Sequence, residues 1–337
     1  MQRDAAFSFH DRQPRPADFR QEVLDGLSRR PPSVPPKFFY DETGSRLFDR
    51  ICASPEYYPT RTEIGILRDN AAAIAARVGR DCLLIEPGSG NSAKVRELLE
   101  PLAPRLYMPV DISRQYLRES AARLAREYPW LEVRAACADF TDGRPLPALP
   151  VDGRRVAFFP GSSVGNFEPD DARDFLAFMA ATVGEGGGLL IGVDLKKDIA
   201  VLEAAYNDAG GATAAFNLNL LVRIYRELDA DFDPGGFAHR AFYDAGRGRI
   251  GMHLASRRAQ RVRVGGRRFV FGTGDSIHTE NSYKYSVEEF ATLAASAGFR
   301  LEDVWTDARS LFSVQCYSVE GTAVESRSSE PCPVASP

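Results

Sequence analysis

The sequence LLIEPGSG at residues 83–90 decides the fold, because it joins a short apolar strand to a glycine-rich turn. Residues 83–85 are typical of a buried β-strand, and Gly88 and Gly90 open a tight turn after it. Residues 92–99 then have the pattern of a helix. Because glycine has no Cβ, such a turn lets backbone N–H groups approach a ligand at the helix N-terminus. The stretch predicts a polar ligand, often a nucleotide, at the end of this strand.

The composition is that of an ordinary globular protein. The chain has 337 residues, 44% hydrophobic and 26% charged, which suits one large domain or two smaller ones. The net charge is −4 and the basic residues are dispersed, so we expect no nucleic-acid partner. A run of about 18 apolar residues is absent, so we expect no membrane span. Residues 1–9 lack the apolar core of a signal peptide.

The cysteines and histidines show neither a disulfide framework nor a metal-binding spacing. An odd number of cysteines without CxxC spacing indicates reduced thiols in a cytoplasmic protein. The four histidines lack HxxxH spacing, so we expect no metal. No heptad pattern or long apolar edge demands assembly, and we expect a monomer. The cysteines are Cys52, Cys82, Cys137, Cys316 and Cys332.

Strands and helices alternate around the opening stretch. This alternation predicts a mostly parallel sheet with helices on both faces. Asp111 ends the second predicted strand about 20 residues after the glycine turn, where a Rossmann-like fold binds a ribose, although a helix cap is an alternative role. Asp139 and Phe140 end the third strand, where they suit an adenine ring or, equally, a turn and a core position. Further strands are expected at 105–110, 131–136, 155–159 and 189–193, and helices at 16–29, 62–77 (capped by Thr62), 114–128 and 169–183.

The pattern changes after residue 198 and predicts an inserted domain. Two helices are followed by strands that alternate as in an antiparallel sheet. A last helix and two strands then close the first sheet as an antiparallel hairpin, and we expect residues 321–337 to be disordered. Helices are expected at 199–209, 212–228 and 287–297, and strands at 238–244, 249–256, 260–264, 268–271 (continuing the same sheet), 301–306 and 312–319.

The turn lacks the third glycine of GxGxxG and the lysine of a phosphate-binding loop. Glu-x-Gly-x-Gly after the first strand, Asp after the second and Asp-Phe after the third look together like an S-adenosylmethionine methyltransferase. That resemblance implies an α/β fold with a Rossmann-like class I methyltransferase core and an antiparallel terminal hairpin. An NAD-dependent oxidoreductase and a cofactor-binding module without catalysis remain rival interpretations.

Four separated motifs make a more specific resemblance over residues 35–320. They are similar to motifs of the histidine-specific Nα-methyltransferases of ergothioneine biosynthesis. Two tyrosine-containing clusters, around Tyr40 and Tyr57, precede the glycine turn and suit either packing or a lid over a site. The motifs are PEYYPTRTE at 55–63, GSSVGN at 161–166, the segment 207–217, and TENS at 279–282.

The resemblance implies three successive methyl transfers from S-adenosylmethionine to the α-amine of L-histidine and its mono- and dimethyl forms, giving hercynine. It implies a methyltransferase core at 61–196 and 286–320. It also implies a smaller α+β substrate-binding domain at 1–60 and 197–285. A related enzyme acting on tryptophan or tyrosine is the closest alternative, but an indole offers one donor and needs more room.

The resemblance also assigns roles to individual residues. The cofactor would be held by Gly88, Lys94, Asp111, Asp139 and Phe140. The substrate carboxylate would contact Asn166 and Tyr206, and the imidazole would contact Glu280 and Ser282, with Tyr57 and Met252 beside it. Tyr40 would lie by the amine, near Gly161.

The chemistry of Glu280 and Ser282 suits an imidazole. A neutral imidazole has one donor and one acceptor nitrogen, so a carboxylate can accept from one and a hydroxyl can donate to the other. Residues two apart on an extended segment point to the same face. No strong general base is evident, and we expect solvent to take the amine proton through a water near Tyr40 or the Gly161 carbonyl. Proximity of the bound partners supplies much of the rate.

Overall fold

A computed structural model of the chain describes residues 7–12, 16–141, 143–149 and 152–319. The expected disordered tail, 321–337, lies outside the described residues. The strands are β1 (Phe7–Asp11), β2 (Leu83–Pro87), β3 (Leu106–Asp111), β4 (Glu132–Cys137), β5 (Arg155–Phe159), β6 (Gly188–Asp194), β7 (Phe237–Asp244), β8 (Arg249–Ser256), β9 (Gln260–Val264), β10 (Arg267–Phe271), β11 (Ser276–Tyr283), β12 (Phe299–Thr306) and β13 (Phe312–Val319). The helices are α1 (Pro16–Ser28), α2 (Glu42–Cys52), α3 (Tyr58–Asp69), α4 (Ala71–Val78), α5 (Arg96–Leu102), α6 (Arg114–Glu127), α7 (Pro169–Val183), α8 (Ile199–Tyr206), α9 (Ala212–Glu227) and α10 (Val287–Ser296).

The large sheet is an eight-stranded, mostly parallel sheet in the order β1-β4-β3-β2-β5-β6-β13-β12. Strand β13 pairs antiparallel with both β6 and β12, so the predicted terminal hairpin is confirmed. Strands β2 and β6 are buried along their whole length, as expected for strands covered on both faces. This arrangement confirms the predicted Rossmann-like α/β core with its antiparallel terminal hairpin. The carboxyl ends of its parallel strands form the edge at which such folds bind ligands.

A second group of elements has its own hydrophobic cluster. Helices α1, α2, α8 and α9 pack with strands β7 to β11 around buried side chains such as Phe39, Phe216 and Leu254. Strands β11, β8 and β7 form a three-stranded antiparallel sheet in that order. Strands β9 and β10 form a separate hairpin, so the prediction that residues 268–271 continue the same sheet was wrong.

Strand β1 corrects the predicted assignment of residues 1–60 to the second group of elements. Residues 7–11 pair parallel with Val133–Cys137 at the edge of the large sheet. The sequence analysis missed this strand because it is only five residues long and lies partly exposed at the edge of the sheet. An edge strand buries little of either face, so it carries a weak hydrophobic pattern.

The helix predicted at 62–77 is two helices. Helix α3 begins four residues earlier than expected, with Pro59 in its first turn, where proline costs no hydrogen bond. It ends at Asn70, whose side-chain amide donates to the carbonyl of Ile66 at 2.9 Å. The helix predicted from Ser92 begins only at Arg96, because Ser92 has a positive φ of 54°. Side-chain hydrogen bonds and left-handed backbone thus set boundaries that apolar periodicity does not show.

Candidate functional site

The glycine turn after β2 presents bare backbone, as predicted. Gly88 and Gly90 have positive φ angles of 68° and 51°. A Cβ atom on Gly88 would lie 3.6 Å from the ring of Phe140, so the turn passes close to that ring. Within the described part of the chain, the Ser89 hydroxyl is buried and has no hydrogen-bond partner. An unused buried hydroxyl beside bare backbone is a feature expected where a polar ligand binds.

Asp111 lies at the end of β3 and is held against the glycine turn. Its carboxylate accepts hydrogen bonds from the backbone N–H of Gly90 at 3.0 Å and of Ser113 at 2.8 Å. Burial raises the pKa of Asp111, against the lowering effect of these bonds. The two N–H donors fix the orientation of the carboxylate, and its remaining lone pairs can accept from ligand hydroxyls.

Asp139 lies after β4 and has a partner that the sequence did not predict. Its Oδ1 accepts from the backbone N–H of Thr141 at 2.9 Å, and its Oδ2 accepts from Nζ of Lys37 at 3.1 Å. Lys37 also forms an ion pair with Glu22 at 3.0 Å. Burial opposes the charge of Asp139, but the bonds from Thr141 and the charge of Lys37 outweigh it and lower its pKa. The segment before α2 is therefore tied directly to the predicted adenine end of the site.

Lys94 and Gly161 meet at a buried carboxylate that the sequence did not identify. Nζ of Lys94 lies 2.7 Å from Oε2 of Glu63, and both Glu63 oxygens accept from the Gly161 N–H at 2.9 Å. Gly161 has a φ of 87°, and a Cβ atom there would lie 2.8 Å from Nζ of Lys94. Glu63 thus fixes a cation and turns the peptide of Gly161 at the carboxyl end of β5.

Glu86 is a second buried carboxyl group near the turn. Its partner is the hydroxyl of Tyr107, at 2.5 Å. Burial raises the pKa of Glu86 to about 8. At neutral pH the group is therefore largely protonated, which limits the cost of burying it beneath the glycine turn.

The predicted imidazole-reading residues lie on one strand. Glu280 and Ser282 are two apart on β11 and face the same side of the three-stranded sheet. Met252 of β8 is the direct cross-strand partner of Glu280, which brings their side chains together. In the amide orientation that satisfies both neighbours, the Asn166 nitrogen donates to the Asn281 carbonyl at 3.0 Å and to Oε1 of Glu280 at 3.3 Å. The structure therefore brings Asn166, Met252, Glu280 and Ser282 together.

The predicted tyrosines pack as one aromatic group. Tyr57 lies edge-on to Tyr206, with ring centroids 6.1 Å apart, and Tyr40 lies edge-on to Phe48 at 5.7 Å. Phe48 also contacts Tyr57 at 6.4 Å. Burial, and after it the charges of nearby groups that include Glu280 and Asp111, raise the pKa of Tyr40. The charges of Asp111 at the end of β3 and of Glu280 on β11 thus both act on the Tyr40 hydroxyl. Because its pKa is raised, Tyr40 keeps its proton.

A charged cluster lies beneath Ser282 and Tyr206. Asp194, at the end of β6, lies 2.6 Å from Nζ of Lys284 and accepts from the Tyr58 hydroxyl at 2.7 Å. Lys197 forms an ion pair with the same carboxylate. Burial lowers the pKa of Lys197 to about 8. Burial also opposes the charge of Lys284, but the carboxylate of Asp194 outweighs it and raises its pKa.

Other features of the described residues do not contribute to this site. Within them, no group of histidine, cysteine and acidic side chains has an arrangement that would hold a metal ion. Among the described helices none is both long and apolar enough to cross a membrane. A cleft of about 430 Å³ between α3 and the β12–β13 loop contains Tyr58, Arg61 and Arg309, but none of the predicted site residues.

The predicted site residues that the structure brings together form two groups. The first group surrounds the glycine turn and contains Gly88, Lys94, Asp111, Asp139, Phe140 and Gly161. The second surrounds β11 and contains Tyr40, Tyr57, Asn166, Tyr206, Met252, Glu280 and Ser282. The sequence missed Lys37, Glu63, Asp194 and Lys284. Lys284 carried one usable signal, because it is two residues from Ser282 and so lies on the same face of the chain.

Comparison with known proteins gives a consistent result. The sequence profile of a family described as "Histidine-specific methyltransferase, SAM-dependent" matches residues 19–319. The chain is 44% identical to the histidine N-alpha-methyltransferase of Mycolicibacterium smegmatis, covering 86% of this chain and 91% of the relative. It is 42% identical to the protein of the same name from Mycobacterium tuberculosis, with the same coverage. Ergothioneine biosynthesis protein 1 of Neurospora crassa is 31% identical over 82% of this chain and 32% of that longer protein.

Proposed function

Because this chain belongs to the family of histidine-specific, S-adenosylmethionine-dependent methyltransferases, we propose that it methylates the α-amine of L-histidine. The proposed reaction is three successive transfers that give the trimethylated betaine hercynine, the first step of ergothioneine biosynthesis. The names of the relatives support the substrate and the pathway. The observation in this chain that carries the proposal is the pairing of Glu280 and Ser282 on one face of β11.

The residues around the glycine turn suit the proposed cofactor. S-adenosylmethionine supplies a methyl group bound to a positively charged sulfur. The Asp111 carboxylate, oriented by two backbone N–H groups, would accept from ribose hydroxyls. Asp139 would accept from the adenine amino group, and Phe140 would pack against the base. Lys94 would supply a cation for the carboxylate of the cofactor. The closeness of the Phe140 ring to Gly88 and the unpartnered hydroxyl of Ser89 support this assignment.

The residues around β11 suit histidine. Glu280 would accept from one ring nitrogen and Ser282 would donate to the other, with Met252 and Tyr57 packing beside the ring. Asn166 would turn its amide donors to the substrate carboxylate, and Tyr206, whose hydroxyl donates to Ser282, would pack beside it. The tyrosine faces of the aromatic group would accept a trimethylammonium through cation–π contact, since they add no charge. An indole would leave either Glu280 or Ser282 unpaired, and unpaired buried polar groups are costly.

The amine must lose its proton before each transfer. Tyr40 keeps its own proton, because burial raises its pKa, so it is not a phenolate base. We therefore propose that Tyr40 and the Gly161 carbonyl hold the water that accepts the proton. Glu63 would fix the Gly161 peptide in the required orientation through its two hydrogen bonds to the N–H. The remaining contribution of the protein is orientation of the amine.

Three further properties belong to the same proposal. The elements around β7 to β11, with the segment before α3, would form the substrate-binding domain, and the large sheet would form the catalytic core. The protein would act as a monomer in the cytoplasm. Light scattering of the purified protein tests whether it is a monomer, and a dimer mass would contradict this. Cell fractionation tests the cytoplasmic location, and recovery outside the cytoplasmic fraction would contradict it.

Mass spectrometry of histidine incubated with the protein and S-adenosylmethionine tests the proposed reaction. We expect histidine to gain one, two and then three methyl groups. Glu280→Ala should reduce kcat/KM for histidine by about tenfold, since a buried hydrogen bond to the ring is lost. Methylation of tryptophan or tyrosine with none of histidine would contradict the proposed substrate. Binding of the cofactor without any methylated product would contradict enzymatic function.

A further inference from the structure

Lys284 is fully buried, and each of its three N–H donors has a partner. Its Nζ lies 2.6 Å from Asp194 Oδ2, 2.8 Å from Ser282 Oγ and 3.1 Å from Tyr206 Oη. An ammonium group has three donors and no acceptor. Both hydroxyl groups therefore accept a hydrogen bond from the same cation.

The two hydroxyl groups are also bonded to each other. Tyr206 Oη lies 2.7 Å from Ser282 Oγ, with the phenol as donor. This direction is chemically favoured, because a phenol is a stronger acid than an alkyl hydroxyl and so is the better donor. Ser282 Oγ then accepts from both Lys284 and Tyr206, which fills its two lone pairs. The remaining hydrogen-bonding capacity of Ser282 is its own O–H.

We propose that Lys284 is a positioning residue that makes Ser282 a hydrogen-bond donor to the substrate ring, so that the site selects a neutral imidazole. The proposal rests on the proposed function, and it names the residue that sets whether Ser282 donates or accepts a hydrogen bond. A neutral imidazole offers a lone pair to Ser282 and an N–H to Glu280. A ring with donors at both positions, such as an imidazolium, would place its N–H against the Ser282 hydroxyl, whose lone pairs are filled.

The surroundings hold Lys284 in place. Asp194 also accepts from Tyr58 at 2.7 Å and pairs with Lys197, so its carboxylate is fixed independently of Lys284. The ammonium lies 5.0 Å from the centroid of the Tyr206 ring, which adds a cation–π contact. Removal of Lys284 therefore leaves Asp194 with two partners.

A double-mutant cycle tests the proposal. The affinity for histidine is measured by calorimetry in the presence of S-adenosylhomocysteine for wild type, Lys284→Met, Ser282→Ala and the double variant. We expect each single substitution to weaken histidine binding about tenfold or more. Lys284→Met should weaken it less than about threefold in the Ser282→Ala background, because Lys284 acts through Ser282. Affinity for S-adenosylhomocysteine should stay within about twofold of wild type.

The cycle also distinguishes an effect of Lys284 through Ser282 from an effect through Glu280. The charge of Lys284 lowers the pKa of Glu280, although no hydrogen bond joins the two side chains in the described residues. An effect through Glu280 would persist in the Ser282→Ala background, giving additive losses, and this would overturn the proposal. Wild-type affinity in Lys284→Met would overturn it as well.

Two controls complete the experiment. Lys196→Met removes a half-exposed lysine that pairs with Glu289, and it should leave histidine binding unchanged. If Lys284→Met does not fold, Asp194→Asn/Lys284→Met removes both charges together and takes its place in the cycle. Failure of wild type to methylate histidine would refute the proposed function. Methylation by wild type with additive losses in the cycle would refute only the role of Lys284.

Discussion

Glu280, on strand β11, makes the stability of the protein depend on pH. Burial raises its pKa to about 8 from an ordinary value of 4.5, against the lowering effect of Lys284. Between these two pH values the folded protein holds a proton that the unfolded chain releases. The contribution of this group to stability is therefore fully present below pH 4.5 and is lost as the pH rises through about 8.

Glu280→Gln removes this titration, so its stability relative to wild type should depend on pH. We expect the difference in the free energy of unfolding to shift in favour of the variant by on the order of 2–4 kcal/mol between pH 5 and pH 9. Urea unfolding at several pH values measures it. Glu288→Gln changes an exposed residue of α10 and should show no such trend over this range. A difference for Glu280→Gln that stays constant with pH would contradict the argument.

At the scale of elements, α3 packs closely against β6 because residue 192 of β6 has no side chain. Gly192 lies in the buried strand β6, and a Cβ atom there would lie 1.9 Å from Oε1 of Glu63. Glycine at this position therefore makes room for the carboxylate that holds Lys94 and Gly161. The packing of α3 on the sheet and the geometry of the site depend on the same contact.

Gly192→Ala should push Glu63 away from its partners. We expect a loss of about 1–3 kcal/mol in the free energy of unfolding, typical of overpacking, and a marked loss of methyl transfer because Lys94 and Gly161 lose their anchor. Urea unfolding and the mass assay measure the two effects. Gly65→Ala is a suitable control on α3, because a Cβ atom there meets nothing within 4 Å. It should be neutral or stabilise the helix by up to about 1 kcal/mol.

Elements with a strong local pattern were predictable from the sequence. Strands β2 and β6, for example, were found because largely apolar runs end at turn residues. Strand β1 was not found because it is a short, partly exposed edge strand. The break at Asn70 was not found because a side-chain hydrogen bond leaves no apolar periodicity. The predicted boundaries of helices and strands were thus wrong where polar groups, rather than hydrophobic burial, determine the backbone conformation.

At the scale of the whole molecule, a buried ionic cluster joins the hydrophobic cluster around α9 to the large sheet. Tyr58 and Tyr206 belong to the core around α9, whereas Asp194 ends a strand of the large sheet. Asp194 binds Tyr58, Lys197 and Lys284 together. Burial opposes its charge, but Lys284 and Lys197 outweigh this effect and lower its pKa.

Asp194→Asn should destabilise the protein, because it leaves two buried ammonium groups without an anion. We expect a loss of about 3–5 kcal/mol in the free energy of unfolding, measured with urea. Asp303→Asn breaks an ion pair with Arg77 at the surface and should change stability by less than about 1 kcal/mol. Equal effects of the two substitutions would show that the ionic cluster does not hold the core around α9 to the large sheet.

The candidate site was predictable only where family-like motifs mark it. Asp111 and Glu280 lie in such motifs. Glu63 lies in one too, but its role and that of Lys37 depend on partners far away in the chain. Glu63 is 98 residues from Gly161, and Lys37 is 102 residues from Asp139. Contacts at these separations depend on the tertiary fold, and a single sequence gives no local sign of them.

The place of β13 in the sheet has a consequence for protein synthesis. This strand (Phe312–Val319) lies between β6 and β12, although it is the last described strand of the chain. On the ribosome, the residues between β6 and β13 take about 6–24 s to make at typical elongation rates. During that interval β6 has an open hydrogen-bonding edge in an apolar surround. We therefore expect the nascent chain to be exposed to pairing with other chains until β13 has been made.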